Sequence, residues 1–409
     1  MDNKYNNALE VLKNHGQEHL LRFYDELNDT EKDALLEQIN GIDWSLLRLK
    51  KEESAAVHGS IEPLGAMTLS EIEKRYDEFE CAGIKALKEG KIAAVLLAGG
   101  QGTRLGWEGP KGTYNIGQTH DLYIFECLIN NMLDTVKACG RFFPLCIMTS
   151  DKNNDETIEF LKAHDYFGYD PSKVFFFKQD MAPSIDFNGK LYLEDKGRLS
   201  LSPNGNGGWF NSLENAGLLD MLKAEGVEWI SIFAVDNVLQ RINDPAFVGA
   251  TLLSGTVCGA KVIRKNAPDE RIGVLCLEDG SPSIVEYYET TEELRDAKDE
   301  NGEPLYPFGV TLNYLYSISE LERVCAKPLK YHIVEKKIPY IDENGTYIKP
   351  DKPNGIKFER LAIDLIHMVS DCLPYEIVRE REFAPIKNPT GIDSVESARE
   401  LLKLNGVKL

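Results

Sequence analysis

From residue 91 onward, short apolar, β-rich runs alternate with helical stretches, and this alternation narrows the possible architectures more than any other feature of the chain. "KIAAVLLAGG", "RFFPLCIMTS", "KVFFFKQD" and "VEWISIFAVDN" read as strands, with "DETIEFLKAHDYF" and "FNSLENAGLLDMLKAEG" as helices between them. Strands that take turns with helices imply a parallel sheet wound on both faces. Two hairpin-like pieces, "SIDFNGKLYLED" and "GVLCLEDGSPSIVEYYE", interrupt it, each turning on a pair that contains glycine. The expected class is α/β, a doubly wound sheet that is mixed but mainly parallel. Insertions of this kind lie over the sheet edge, where specificity usually resides.

Residues 5 to 90 read differently, as charged helices. In "NDTEKDALLEQI", Thr30 with Asp33 three residues on is an expected N-cap, and Ser70 with Glu73 is a second. Three to five helices are expected there, with "SIEPLGAM" a short link. Because 409 residues exceed what one core organises, a division is expected at 1–90, 91–325 and 326–409. The last piece ends in a charged helix, "SVESARELLKLNG".

Several function classes drop out early. No run of eighteen apolar residues exists, and "MDNKYNNALEVLKNHG" lacks the zones of a signal peptide, so a cytoplasmic chain without a membrane partner is expected. Eight scattered cysteines without C-x-x-C read as buried free thiols in a reducing compartment. A formal net charge of −20 repels polyphosphate backbones and argues against nucleic acid as a partner. Any phosphate must then be held by a few placed cations. The seven histidines show no ligand spacing, which makes zinc improbable, and no G-x-S-x-G nucleophile is present.

"LLAGGQGTRLGWEGPKG", Leu96 to Gly112, follows the first apolar run and carries Arg104 and Lys111 as its cations. Leu105 stands where a dinucleotide fingerprint needs its third glycine, and Pro110 stands where a Walker loop needs glycine before lysine. What remains is a loop whose glycines let backbone N–H groups approach a ligand at the carboxyl end of a strand. Arg104 offers a planar fork for phosphate oxygens and Lys111 a point charge. A nucleoside triphosphate fits this equipment. Asp236 in "FAVDN" ends another apolar strand beside the same crevice, where it reads either as a turn cap or as a Mg²⁺ ligand next to phosphates.

"LAGGQGTRLG" followed by "PKG" resembles the signature of UTP-dependent sugar-1-phosphate uridylyltransferases, most closely the UDP-N-acetylhexosamine pyrophosphorylases. The similarity continues in order through "IMTS", "YFG", "GNGG", "VDN", "CGAKV", "VEY", "KKIPY", "KPDKPNGIK" and "REREFAPIKN", covering roughly residues 91 to 390. It implies a GT-A-like, Rossmann-type nucleotidyltransferase domain over 91–325, a C-terminal region completing the sugar-phosphate site, and UTP and a sugar 1-phosphate as substrates. Leu97, Ala98, Gly99, Gly100, Gly102, Thr103, Gln179 and Gly205 are implied nucleotide contacts, with Gln179 reading the uracil edge. Asn206, Gly273, Glu286 and Lys357 are implied on the sugar side. Asp236 matches a metal-binding aspartate, and Lys387 a lysine that reaches the phosphates alongside Arg104 and Lys111.

One departure bears on the sugar. Where the acetylhexosamine enzymes carry "NAGNI", this chain reads "YPFGVTLNY", with Pro307 and Val310 at the two asparagine positions and Asn313 as a nearby substitute. Family aromatics after "NGIK" are aliphatic in "FERLAIDLI". Losing a hydrogen-bonding amide against a polar sugar is not neutral, so an N-acetylglucosamine 1-phosphate and a plain hexose 1-phosphate both stay open. A non-catalytic UDP-sugar sensor would be expected to lose a cation or Asp236, and this chain keeps them.

Overall fold

The computed structural model describes residues 2–49, 58–327 and 329–409. Two compact units emerge. The larger holds the described residues of Val57–Gln179, Trp209–Leu329 and Ala362–Leu409; the smaller holds those of Met1–Ala56, Asp180–Gly208 and Lys330–Leu361. The expected division at 90 and 325 is therefore replaced by an interleaved one. Burial explains why. Helix Tyr76–Glu89 crosses helix Pro245–Ser254 of the larger unit so closely that a Cβ at Gly83 would collide with the Pro245 carbonyl. Leu35, Leu36 and Ile39 of helix Asp29–Asn40 instead share a core with Leu193, Leu199 and Phe358 of the smaller unit.

The larger unit is built on a ten-stranded sheet among the described residues. Val174–Lys178, Leu145–Thr149, Ile92–Leu97 and Trp229–Ala234 lie side by side and parallel, as the alternation predicts. Phe308–Ser317 then pairs antiparallel with Trp229–Ala234, and Cys258–Arg264 and Val274–Glu278 pair antiparallel with Phe308–Ser317. Ile92–Leu97 and Leu145–Thr149 are buried at every position, which is why they read as unbroken apolar runs. Helix Ile124–Cys139 buries one face in the same core.

Local details differ from the sequence reading in instructive ways. Asn28 and Thr68 are the N-caps, each in a capping box with the glutamate three residues on, Glu31 and Glu71. Thr30 and Ser70 already lie within the first helical turn, because the extended backbone that a cap needs falls two residues earlier. "SIEPLGAM" is more than a link: Ile61–Pro63 pairs with Val274–Glu278. "FNSLENAGLLDMLKAEG" forms two helices, Trp209–Asn215 and Leu218–Ala224, broken where Gly217 turns left-handed at φ 73°. The Asp279–Gly280 hairpin forms as expected, both residues having positive φ. In "SIDFNGKLYLED" the strand Ile185–Asp186 pairs mainly with Gly355–Glu359. No helix among the described residues is long and apolar enough to cross a membrane.

Candidate active site

Parallel pairing lines up the carboxyl ends of four strands. Ala234 is in register with Leu97, Leu97 with Met148, and Thr149 with Lys178. The next residues leave the sheet together, held by Val235 N–H to Leu97 C=O at 3.2 Å, Ala98 N–H to Met148 C=O at 2.9 Å and Gln179 N–H to Thr149 C=O at 2.9 Å. Leu97, Ala98, Gly99, Gly100, Gln179 and Asp236 thus come to one edge, the place where wound sheets bind ligands.

The loop after Leu97 is fixed at its base and open at its tip. Gly102 N–H donates to Gly109 C=O at 2.9 Å and Lys111 N–H to Gly100 C=O at 3.2 Å, which closes the loop into a short antiparallel bridge. Beneath it, the buried Asn153 side chain donates to Ala98 C=O at 2.9 Å and Gly100 C=O at 3.3 Å. Sequence reading missed this support, since nothing near Asn153 marks it as a loop partner. Among the described residues, the amides of Gly99, Gly100 and Gln101 donate to no backbone or side-chain acceptor, so they can receive an anion. Gln179 lies directly over Gly99, where a Cβ would collide with the side-chain amide. The glycine is required by that close approach. Thr103 and Arg104 occupy an exposed turn that ends at Gly106, and Arg104 makes no ion pair among the described residues.

Lys111 and Asp236, expected to grip phosphate and metal respectively, are bonded to each other. Lys111 is largely covered at 12% side-chain exposure, whereas Asp236 is 41% exposed. Lys387 reaches the same neighbourhood because Ile386 N–H donates to Asp236 C=O at 2.8 Å. Its ammonium pairs with Asp393 at 3.0 Å. Two lysines, each paired with an aspartate, are therefore brought together from segments distant in sequence.

The sugar-side positions divide. A Cβ on Gly273 would lie 3.3 Å from Glu286 Oε1 and 3.4 Å from Val310 Cγ2, and Val310 N–H donates to Gly273 C=O at 3.0 Å, so these three line one small wall. Asn313 is not brought to that wall. It is 2% exposed and its amide donates to Arg241 C=O at 3.3 Å, so it cannot replace the asparagine that Val310 displaces. Pro307 caps the strand entry, its carbonyl accepting from Lys265 N–H at 2.8 Å.

Gly205, Asn206 and Lys357 belong to the smaller unit and are described within it. Gly205 has φ 87° and sits so near the Arg360 carbonyl that a Cβ would strike it. Gly207 N–H donates to Arg360 C=O at 2.9 Å, and Arg360 N–H donates to Asn204 C=O at 2.6 Å. The Arg360 guanidinium stacks over the Tyr331 ring at 4.1 Å. Arg360, which the sequence reading passed over, is therefore the residue built against the glycine loop. Lys357 lies three residues earlier, mid-strand opposite Val334.

The larger unit holds a second charged group. Lys261, with no exposed side-chain surface, donates to Glu382 Oε2 at 2.6 Å, Asp244 Oδ2 at 3.3 Å and Arg241 C=O at 3.0 Å. Burial pushes the Glu382 carboxyl above its ordinary range; at Asp244 burial acts the same way, but the ammonium of Lys261 and Arg241 outweigh it and hold the group below. All eight cysteines are free, but only six are buried as expected, Cys81 being exposed and Cys325 half-buried; burial raises the thiols of Cys127 and Cys146 to about 12, so these two stay protonated and inert.

Residues 42–405 match the family described as UTP--glucose-1-phosphate uridylyltransferase. This chain belongs to that family. It is 36% identical to the human UDP-N-acetylhexosamine pyrophosphorylase-like protein 1 over 96% of this chain and 82% of the relative. It is 34% identical to the UDP-N-acetylglucosamine pyrophosphorylase of Saccharomyces cerevisiae over 95% and 84%. A crystal structure of the uridine diphosphate N-acetylglucosamine pyrophosphorylase from Trypanosoma brucei superposes with a TM-score of 0.81 at 27% identity, covering 98% of this chain and 84% of that one. Membership makes the chain a uridylyltransferase by class, and the doubly wound nucleotidyltransferase fold expected from the alternation is the family's.

Proposed function

We propose that the chain transfers UMP from UTP to N-acetylglucosamine 1-phosphate, giving UDP-N-acetylglucosamine and pyrophosphate reversibly. The observation that carries the transfer is the meeting, at one sheet edge, of an amide-lined loop, Gln179 and the Lys111–Asp236 pair, and the 34% identity to the yeast UDP-N-acetylglucosamine pyrophosphorylase supports the acceptor. A sugar phosphate oxygen attacks the α-phosphorus in line; the new P–O bond forms as the bond to the β-phosphate oxygen breaks, and pyrophosphate leaves. Positioning and charge neutralisation supply the rate, with no covalent enzyme intermediate.

Each residue has a part in this proposal. Gly99 and Gly100 present amides to the phosphates, Leu97, Ala98, Gly102 and Thr103 shape the loop, and Gln179 pairs with the uracil edge. Arg104 and Lys111 neutralise the triphosphate, Lys111 exchanging Asp236 for phosphate oxygens, and Lys387 adds a third charge. Gly273 and Glu286 receive the sugar. In the smaller unit, motif resemblance assigns Gly205 to uridine and Asn206 and Lys357 to the sugar. Among the described residues no set of three or more His, Cys, Asp or Glu is gathered as ligands, and Asp236 is the carboxylate this reading gives to the metal. That suits Mg²⁺, which takes one or two carboxylates and fills its remaining positions with phosphate oxygens and water. When bound, it supplies charge neutralisation at the phosphates.

A second reading, glucose 1-phosphate as acceptor, is favoured by Val310, which turns an apolar face to Gly273 and Glu286 where the relatives' motif has an amide. Pyrophosphate release from UTP with each sugar 1-phosphate decides between them. The expected outcome is a higher kcat/KM for N-acetylglucosamine 1-phosphate. A higher value for glucose 1-phosphate establishes the second reading, and no release with any acceptor refutes both.

A further inference from the structure

We propose that Asn237 and Lys261 are positioning residues that set the spacing between Asp236 and Lys387. This rests on the roles given above to those two charged groups, which lie far apart in sequence and have no direct bond to fix their separation.

Asn237 is buried, and its side chain works as a two-way staple. Its Nδ2–H donates to Glu382 C=O at 2.7 Å, while its Oδ1 accepts from Ala384 N–H at 2.8 Å and from Leu239 N–H at 3.2 Å. Two backbone bonds flank it, Val238 N–H to Ala384 C=O at 3.3 Å and Ile386 N–H to Asp236 C=O at 2.8 Å. The segment 382–386 is therefore laid along 236–238 like a short strand, and Lys387 emerges one residue beyond its last bond. A carboxamide suits the position because the two backbone partners demand one donor and one acceptor; aspartate would keep the acceptor and lose the donor.

Lys261 secures the far end. Its three donors are all engaged, by Glu382 at the start of the segment, by Asp244 and by Arg241 C=O in the loop that follows Asp236. Asp244 in turn caps helix Pro245–Ser254, and Thr311, next to Val310, donates to the Lys261 carbonyl at 2.9 Å. Because a buried charge stripped of its partner is costly, this group resists local rearrangement. Asp236, Lys387 and the sugar wall are thereby referred to one rigid point.

Two measurements on the full chain test this. In Asn237→Ala, hydrogen exchange over 384–387 should accelerate about tenfold or more while 230–233 stays protected. Turnover should fall about a hundredfold, as for reacting groups misplaced by an ångström, with KM for UTP changed less than about threefold. Asn237→Asp, isosteric but without the donor to Glu382 C=O, should show the same pattern. The double variant Asn237→Ala, Lys387→Ala should be no slower than Lys387→Ala alone, because a residue that acts by placing Lys387 has nothing left to place. Multiplying losses in the double variant, or wild-type turnover in both Asn237 variants, overturns the positioning role alone. Wild-type turnover in Lys387→Ala would overturn the part given to Lys387 in the proposed reaction, and this inference with it.

Discussion

Two lysine–carboxylate groups of the larger unit do opposite things. Lys111 pairs with an Asp236 that is 41% exposed, so either partner can be drawn away by a ligand. Lys261 pairs with Asp244 and Glu382 at 0%, 4% and 9% exposure, where little water reaches the charges. The residue types are the same; solvent decides the task. An accessible pair contributes little to stability and remains available for chemistry, whereas a buried one is expensive to break and serves as a fixed reference.

That contrast can be attacked from both sides. The largest effect is expected at Asp236→Ala, where turnover should drop about a thousandfold or more if metal-based stabilisation is lost, with unfolding in urea unchanged; near-normal activity would exclude the carboxylate from the reaction. Lys261→Met should act first on stability, lowering that of unfolding by about 3–5 kcal/mol because two buried carboxylates lose their partner, with turnover falling as well once the spacing of Asp236 and Lys387 is no longer held. A variant as stable as the parent would show that the buried group is dispensable. Lys111→Ala should slow turnover about a hundredfold, the usual loss for one electrostatic donor, and leave the melting transition in place. If its melting point fell as far as that of Lys261→Met, the distinction between the two lysines would collapse. Smallest of all, Gly99→Ala should raise KM for UTP about tenfold by pushing Gln179 aside, with kcat nearly kept.

Local pattern made much of this legible. Four apolar runs announced four parallel strands, and Asp279–Gly280 announced its hairpin, because strand and turn chemistry repeat over a few residues. The loop from Leu96 to Gly112 showed its purpose for the same reason. What stayed hidden depends on separation. Asn237 is bonded 145 residues downstream, and Leu35 is buried against strands more than 150 positions away, so no window along the chain contains both partners. Nor could composition tell Lys261 from Lys111, since exposure is a property of the folded neighbourhood. Asn313 taught the same lesson in reverse: a polar residue near a vacated asparagine position looked like a substitute, until burial showed its amide already committed.

The interleaved make-up of the smaller unit bears on how the chain comes off the ribosome. Its helices are made first, yet the strand Gly355–Glu359, with Phe358 in their shared core, is made some three hundred residues later. Leu193 and Leu199 arrive midway, but the core those helices share stays incomplete while residues 209–329 are being synthesised, a window in which nascent chains are vulnerable to aggregation. Slow translation through residues 209–329 would lengthen that window, and a chain that stops before residue 355 would never end it.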